Sequence, residues 1–104
     1  YARSAHAHNT LLVDGLGQVR NDPVKMTEPI EAGWLSTSDG DAAFGVYDQG
    51  FGPQKRRLAR HRREIRFDRR SETFTVTDCA TSMDGNEHEY TLLFHLYYFV
   101  VKKL

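Results

Sequence analysis

Two histidines set two residues apart, His6 and His8, carry the clearest chemical potential in this chain, within Ser4-Ala5-His6-Ala7-His8-Asn9-Thr10. Alternate residues of an extended strand share a face, so both imidazoles would project to one side together with Thr10 and Leu12. Neutral imidazole suits zinc, and two on one face make part of a tetrahedral site. A working zinc site needs at least a third protein ligand, and spacing alone supplies none. The competing reading is a pair of histidines hydrogen-bonded to nearby carbonyls.

A basic block is the second candidate: Lys55, Arg56, Arg57, Arg60, Arg62, Arg63, Arg66, Arg69 and Arg70. On a strand, positions 60, 62, 64, 66, 68 and 70 share a face and read Arg, Arg, Glu, Arg, Asp, Arg. The interspersed carboxylates suit cross-strand ion pairs as well as an anion-binding stripe. Arg62, Arg63, Arg69 and Arg70 could grip a carboxylate or sulfate with two parallel bonds. The formal net charge is +0, and no recognition motif accompanies the basic residues, so nucleic acid is not an expected partner.

Other groups say less. Trp34, Tyr47 and Phe51 could stack on sugar rings, although Trp34 sits in an alternating strand and is expected in the core. Asp78, Glu87, His88 and Glu89 are acid–base groups that no spacing pairs. His95 lies in an apolar run and reads as a core histidine. Cys79 is the single cysteine, which excludes an internal disulfide and a cysteine-based zinc cluster, and it has no activating neighbour. No residue of the chain is assigned a catalytic role.

These residues must be positioned by strands. The apolar run Leu11-Leu12-Val13 ends on Asp14-Gly15, a turn signal. Asn21-Asp22-Pro23 reads as loop, and Pro29 suits the start or edge of a strand. Ile30–Thr37 and the Ala42, Phe44, Val46 alternation, joined by Ser38-Asp39-Gly40, predict a hairpin. Gln49-Gly50-Phe51-Gly52-Pro53 breaks the chain. Lys55–Arg63 could pass for a basic helix, but alternation from His61 onward favours a strand. Glu72–Cys79 is a strong strand, with Phe74 and Val76 on one face and Thr73, Thr75 and Thr77 on the other. Ala80–Asn86 reads as a polar loop. His88–Val101 becomes apolar on both faces, which predicts a strand covered on both sides.

With no helix demanded and no repeat, the expected fold is all-β, an antiparallel β-sandwich. The 104 residues allow one domain with one modest core. The longest apolar run, Leu92–Val101, is interrupted by His95 and falls short of the roughly 20 residues a membrane span needs, so no membrane partner is expected. No signal peptide is visible. The chain opens inside a motif and stops directly after a strand-like run, so residues 1–104 read as one piece of a longer, larger sandwich.

The run Ser4-x-x-x-His8-Asn9-Thr10-x-x-Val13-Asp14-Gly15-x-x-Gln18 resembles the signature of the heparinase II/III-like polysaccharide lyases. Later features follow in the order of that family: a glycine-bearing strand with Tyr47, His61-Arg62-Arg63 opening a strand, Thr75-Val76-Thr77-Asp78 in the next, and His88 before a final Leu-Phe-His-Leu. The resemblance implies an N-terminal (α/α) toroid ahead of the sandwich. It implies β-elimination of acidic, uronic-acid polysaccharides such as heparan sulfate or alginate, in the periplasm or outside the cell. That chemistry needs neutralisation of the uronate carboxylate, a base for the C5 proton and an acid for the 4-O leaving group. In the family a Tyr, a His and an Asn or second His supply these roles, upstream of the segment present in this chain. The family also implies that His8 is one ligand of a structural zinc whose other ligands precede it, whereas His6 has no counterpart. A non-catalytic carbohydrate-binding or structural β-module is the alternative.

Overall fold

A computed structural model describes residues 9–18 and 31–95. The runs in which β-branched and aromatic side chains alternate with polar ones form the longer strands, because such side chains pack well on a pleated surface. The strands are β1 (Leu11–Val13), β2 (Ala32–Ser36), β3 (Gly40–Tyr47), β4 (Ala59–Asp68), β5 (Thr73–Ser82) and β6 (Tyr90–Leu92). They make a four-stranded antiparallel sheet in the order β2-β3-β4-β5 and a two-stranded antiparallel sheet of β1 and β6. The fold is thus an all-β antiparallel sandwich, with no helix among the described residues.

The hairpin β2–β3 turns at Ser38-Asp39, closed by the Thr37 amide donating to the Gly40 carbonyl at 2.8 Å. The basic block enters as turn and then strand. Residues 52–55 are turn, and β4 starts at Ala59, two residues ahead of His61. The expected loop at Ala80 begins later, because Ala59 pairs with Ser82 and draws β5 on to that point. Of the long final strand, Tyr90–Leu92 pairs with β1; residues 96–101 lie outside the described residues, as do the Asn21-Asp22-Pro23 loop and Pro29.

The core sits at one end of the larger sheet, where Leu11 and Val13 pack with Phe51, Leu58 and Ala59. Phe51 reaches it from the glycine break. Its amide donates to the Arg56 carbonyl at 2.9 Å, and the Gly52 amide donates to the Gly17 carbonyl at 2.9 Å. Gly50 takes φ +117°, and a Cβ there would stand 2.7 Å from the Lys55 backbone, so this tight return requires glycine. Trp34 corrects the expectation of a core position: it is 72% exposed. Its alternation places it on the inner face, yet β1 and β6 cover only the other end of that face.

Candidate functional site

Register brings the site together. Along β4, alternate residues His61, Arg63 and Ile65 face the two-stranded sheet; across β3 they oppose Tyr47, Gly45 and Ala43, and across β5 Arg63 opposes Asp78. Glycine and alanine on β3 leave room above the sheet. The result is a cleft of about 590 Å3 whose polar walls are Asn9, Thr10, Gln18, Tyr47, His61 and Arg63.

Asp78 joins two residues of the cleft wall, His61 and Arg63. Its Oδ1 accepts from His61 Nε2 at 2.6 Å and from Arg63 Nε at 2.7 Å, and its Oδ2 accepts from Arg63 Nη2 at 3.3 Å. The side chains of His61 and Asp78 are nearly inaccessible, and Arg63 is 22% exposed. Burial alone would raise the Asp78 carboxyl, but the bonds from Arg63 and then His61 outweigh it and hold its pKa below the ordinary value. An ionised carboxylate only accepts, so the His61 Nε2 bonded to it carries a proton.

Arg63 also ties the two sheets together. Its Nη1 donates to the Asn9 carbonyl at 2.6 Å, and its guanidinium lies 5.4 Å from the Phe94 ring centroid. Asn9 Oδ1 in turn accepts from the His95 amide at 2.6 Å. The bidentate grip foreseen for Arg63 therefore closes on an internal carboxylate. His95 joins this network through its backbone and is half-buried.

The remaining sequence candidates sort by face. On the outer face of β4, Arg62 and Arg66 both pair with Glu64, and the Arg62 guanidinium lies 4.6 Å over the Phe44 ring. Arg60 pairs with Glu31 at 3.0 Å and Arg69 with Asp41 at 2.7 Å. Within the block, Arg60, Arg62, Arg63, Arg66 and Arg69 thus meet carboxylates, and two of these pairs run along one strand. Phe51 is fully buried and meets Tyr47 edge-on, with centroids 5.5 Å apart, so it cannot stack on a sugar ring. Tyr47 donates its hydroxyl to the Gly50 carbonyl at 2.6 Å. Cys79 is exposed.

His88 makes a second cluster, for which spacing offered no pairing. Its Nδ1 lies 2.6 Å from Asp14 Oδ2 and its Nε2 lies 2.7 Å from Asp84 Oδ1. Two ionised carboxylates both accept, so both ring nitrogens carry protons and the ring is cationic. The bonds to Asp14 and then Asp84 raise the His88 pKa. Asp14 is lowered by the Glu89 amide and then His88; Asp84 is lowered by the Asn86 amide and then His88. This cluster fastens the Asp14-Gly15 turn to the loop before β6.

Sequence reasoning missed both clusters as units. His61 and Arg63 share a strand face by their spacing, but only the β4–β5 register puts Asp78 opposite them. His88 and Asp14 are 74 residues apart. His8 and His6 lie outside the described residues, and among those described no group of three or more His, Cys, Asp or Glu side chains is arranged to hold a metal ion. In His88's cluster each ring nitrogen already faces a carboxylate, which leaves no lone pair for a cation.

An antiparallel sandwich with a polar cleft between its sheets defines the general class. The chain belongs to the heparinase II/III-like, C-terminal family, whose model matches residues 1–103. It is a β-sandwich module related to the polysaccharide lyases. No curated protein and no solved structure matches it.

Proposed function

We propose that residues 1–104 form one β-sandwich piece of a longer lyase that cleaves uronic-acid glycans, heparan sulfate-like or alginate-like, by β-elimination. The proton-transferring residues sit in the parent protein ahead of this piece, in and after an (α/α) toroid. The observation that carries this reading is the family match along residues 1–103. The chemistry of the cleft agrees with it. Asp78 neutralises Arg63, and the Nε2 proton of His61 is bound to Asp78, so this trio suits holding the sheets together more than moving protons.

The test is the ultraviolet absorbance of the unsaturated uronate product. The 104-residue chain should give none on heparan sulfate or alginate, and the parent chain should give a steady rise on one of them. Product formed by the short chain, or none by the parent on any uronic-acid glycan, overturns the reading. His8 is assigned to a structural zinc completed by ligands from the preceding part of the parent, which acts in the periplasm or outside the cell. Zinc bound by the purified parent should fall with His8→Ala, and cell fractionation checks the location.

The rival reading, a carbohydrate-binding module without catalysis, is favoured by one feature. The amides of Asn9 and Gln18 and the hydroxyl of Thr10 line a cleft large enough for sugar rings. Binding of uronate oligosaccharides to a parent that never yields unsaturated product would favour it.

A further inference from the structure

The polar cleft does not end at Arg63. Two of its lining residues, Ala43 and Ile65, are shared with a neighbouring hollow of about 290 Å3 walled by Trp34, Phe67 and Phe74. Register explains the continuity. Trp34, Ala43, Ile65 and Val76 lie in one row across the sheet, and Asp41, Phe67 and Phe74 lie in the next. The two hollows form one groove along the inner face of β4, from His61 to Phe67, about 20 Å long at the ordinary strand rise.

The charges that face this groove are already committed. Arg63 directs Nε and Nη2 to Asp78 and Nη1 to the Asn9 carbonyl. At the aromatic end, Asp41 Oδ1 accepts from the Ser36 hydroxyl and from Arg69 Nη2. By contrast, Asn9 Nδ2, the Thr10 hydroxyl and the Gln18 amide have no partner among the described residues, and all three are uncharged. The apolar wall is also of a telling size. Trp34 is 72% exposed and Phe74 71%, and Ile65 and Val76 are exposed beside them. Together they present on the order of 500 Å2 of apolar surface. That lies within the range of functional patches on single molecules and short of the roughly 800 Å2 per partner that a stable protein interface takes. An open aromatic wall next to uncharged amides and a hydroxyl suits a ligand with a flat apolar face and a hydroxyl-bearing edge.

We propose that this groove binds an uncharged glycan. One pyranose lays its C–H face on Trp34 and Phe74, and the hydroxyls of sugars further along the same chain bond to Asn9, Thr10 and Gln18. A uronate or sulfated sugar is disfavoured there. Its anion finds no unpaired cation among the described residues of the groove, and at the aromatic end it meets the Asp41 carboxylate. The groove holds sugar and transfers no proton, so it goes beyond the lyase reading and stands without it.

Trp34 is the chain's one tryptophan, so its fluorescence reads occupancy directly. Titrating the 104-residue chain with cellohexaose, mannohexaose and chitohexaose should give a saturable emission change with at least one of them. Hexagalacturonate, of equal length, should bind about tenfold more weakly or not at all. Phe74→Ala should weaken binding of the neutral sugar roughly tenfold, the worth of one aromatic contact, and Gln18→Ala should weaken it less. Leu35→Ala, exposed on the opposite face of the sheet, should leave it unchanged. No saturable change with any of the three neutral oligosaccharides, tighter binding of hexagalacturonate, or equal losses from Leu35→Ala and Phe74→Ala overturns the proposal. Trp34 emission that is shielded without sugar and released on dilution also overturns it, and gives the face to a second copy. The lyase reading fails separately: a chain that binds neutral sugar while its parent yields no unsaturated product keeps the groove and loses the lyase.

Discussion

The two histidine clusters look alike and work differently. His61 shares one carboxylate with a guanidinium, deep between the sheets; His88 stands between two carboxylates at the junction of a turn and a loop. In the first, Asp78 and Arg63 cancel each other's charge, and the imidazole adds one more bond to the same carboxylate. In the second, the cation must come from the imidazole itself. One cluster holds a guanidinium that is always charged, and the other relies on a histidine whose two ring nitrogens each face a carboxylate.

The strongest way to break the comparison is Asp78→Ala. It strands Arg63 and His61 without their acceptor, and losing one partner of a buried charge pair costs roughly 3–5 kcal/mol. A urea unfolding midpoint should fall accordingly. Replacing both charges together, Asp78→Leu with Arg63→Met, should cost less than Asp78→Ala alone, because no unpaired charge remains. If the double variant is worse than the single, the trio does more than satisfy itself.

Next comes Gly50→Ala, which sets backbone strain against the polar contacts. The left-handed φ and the 2.7 Å approach to the Lys55 backbone should destabilise the Phe51 loop by about 1–3 kcal/mol, read in the same urea transition. Gly85→Ala is its control: a Cβ there meets nothing within 4 Å, so the loss should be smaller.

The second cluster predicts a pH signature. His88 is raised above the ordinary 6.5, so its contribution is complete below that value and is lost as pH rises through its folded pKa. Asp14 and Asp84 are lowered below the ordinary 3.8, so theirs is present above that value and lost as pH falls through their folded pKa values. The clamp is therefore at full strength between 3.8 and 6.5. The gap in unfolding midpoint between the native chain and His88→Gln should be wider near about pH 5 than near about pH 9. A gap that does not change with pH would mean the ring acts by shape and not by charge. The smallest effect belongs to the outer face: Arg66→Ala removes an exposed partner of Glu64 and should leave the midpoint unchanged, since solvent screens such pairs.

Much of the fold was legible because strand signals are local. Alternation in Phe74–Val76, the Ser38-Asp39-Gly40 turn and the Asp14-Gly15 turn each depend on neighbours a few residues away, and the structure has strands and turns at those places. Strand ends were less legible, as the extension of β5 to Ser82 shows, because a partner strand sets where pairing stops. Trp34 misled for a related reason: alternation identifies its face, but only the placement of the second sheet says whether that face is covered. Within the site, the residue types of His61, Arg63 and Asp78 were visible, and their union was not.

By itself the sequence determined the all-β class, the turns and the family, since each of these resides in residue types and short spacings along one strand of text. Only the tertiary structure decided which ionisable groups meet. Asp78 reaches Arg63 through the register of two adjacent strands, and Asp14 reaches His88 across 74 residues. Hydrogen-bonded register and sheet-on-sheet packing are long-range choices, made by the free energy of the whole chain, and no local pattern encodes them.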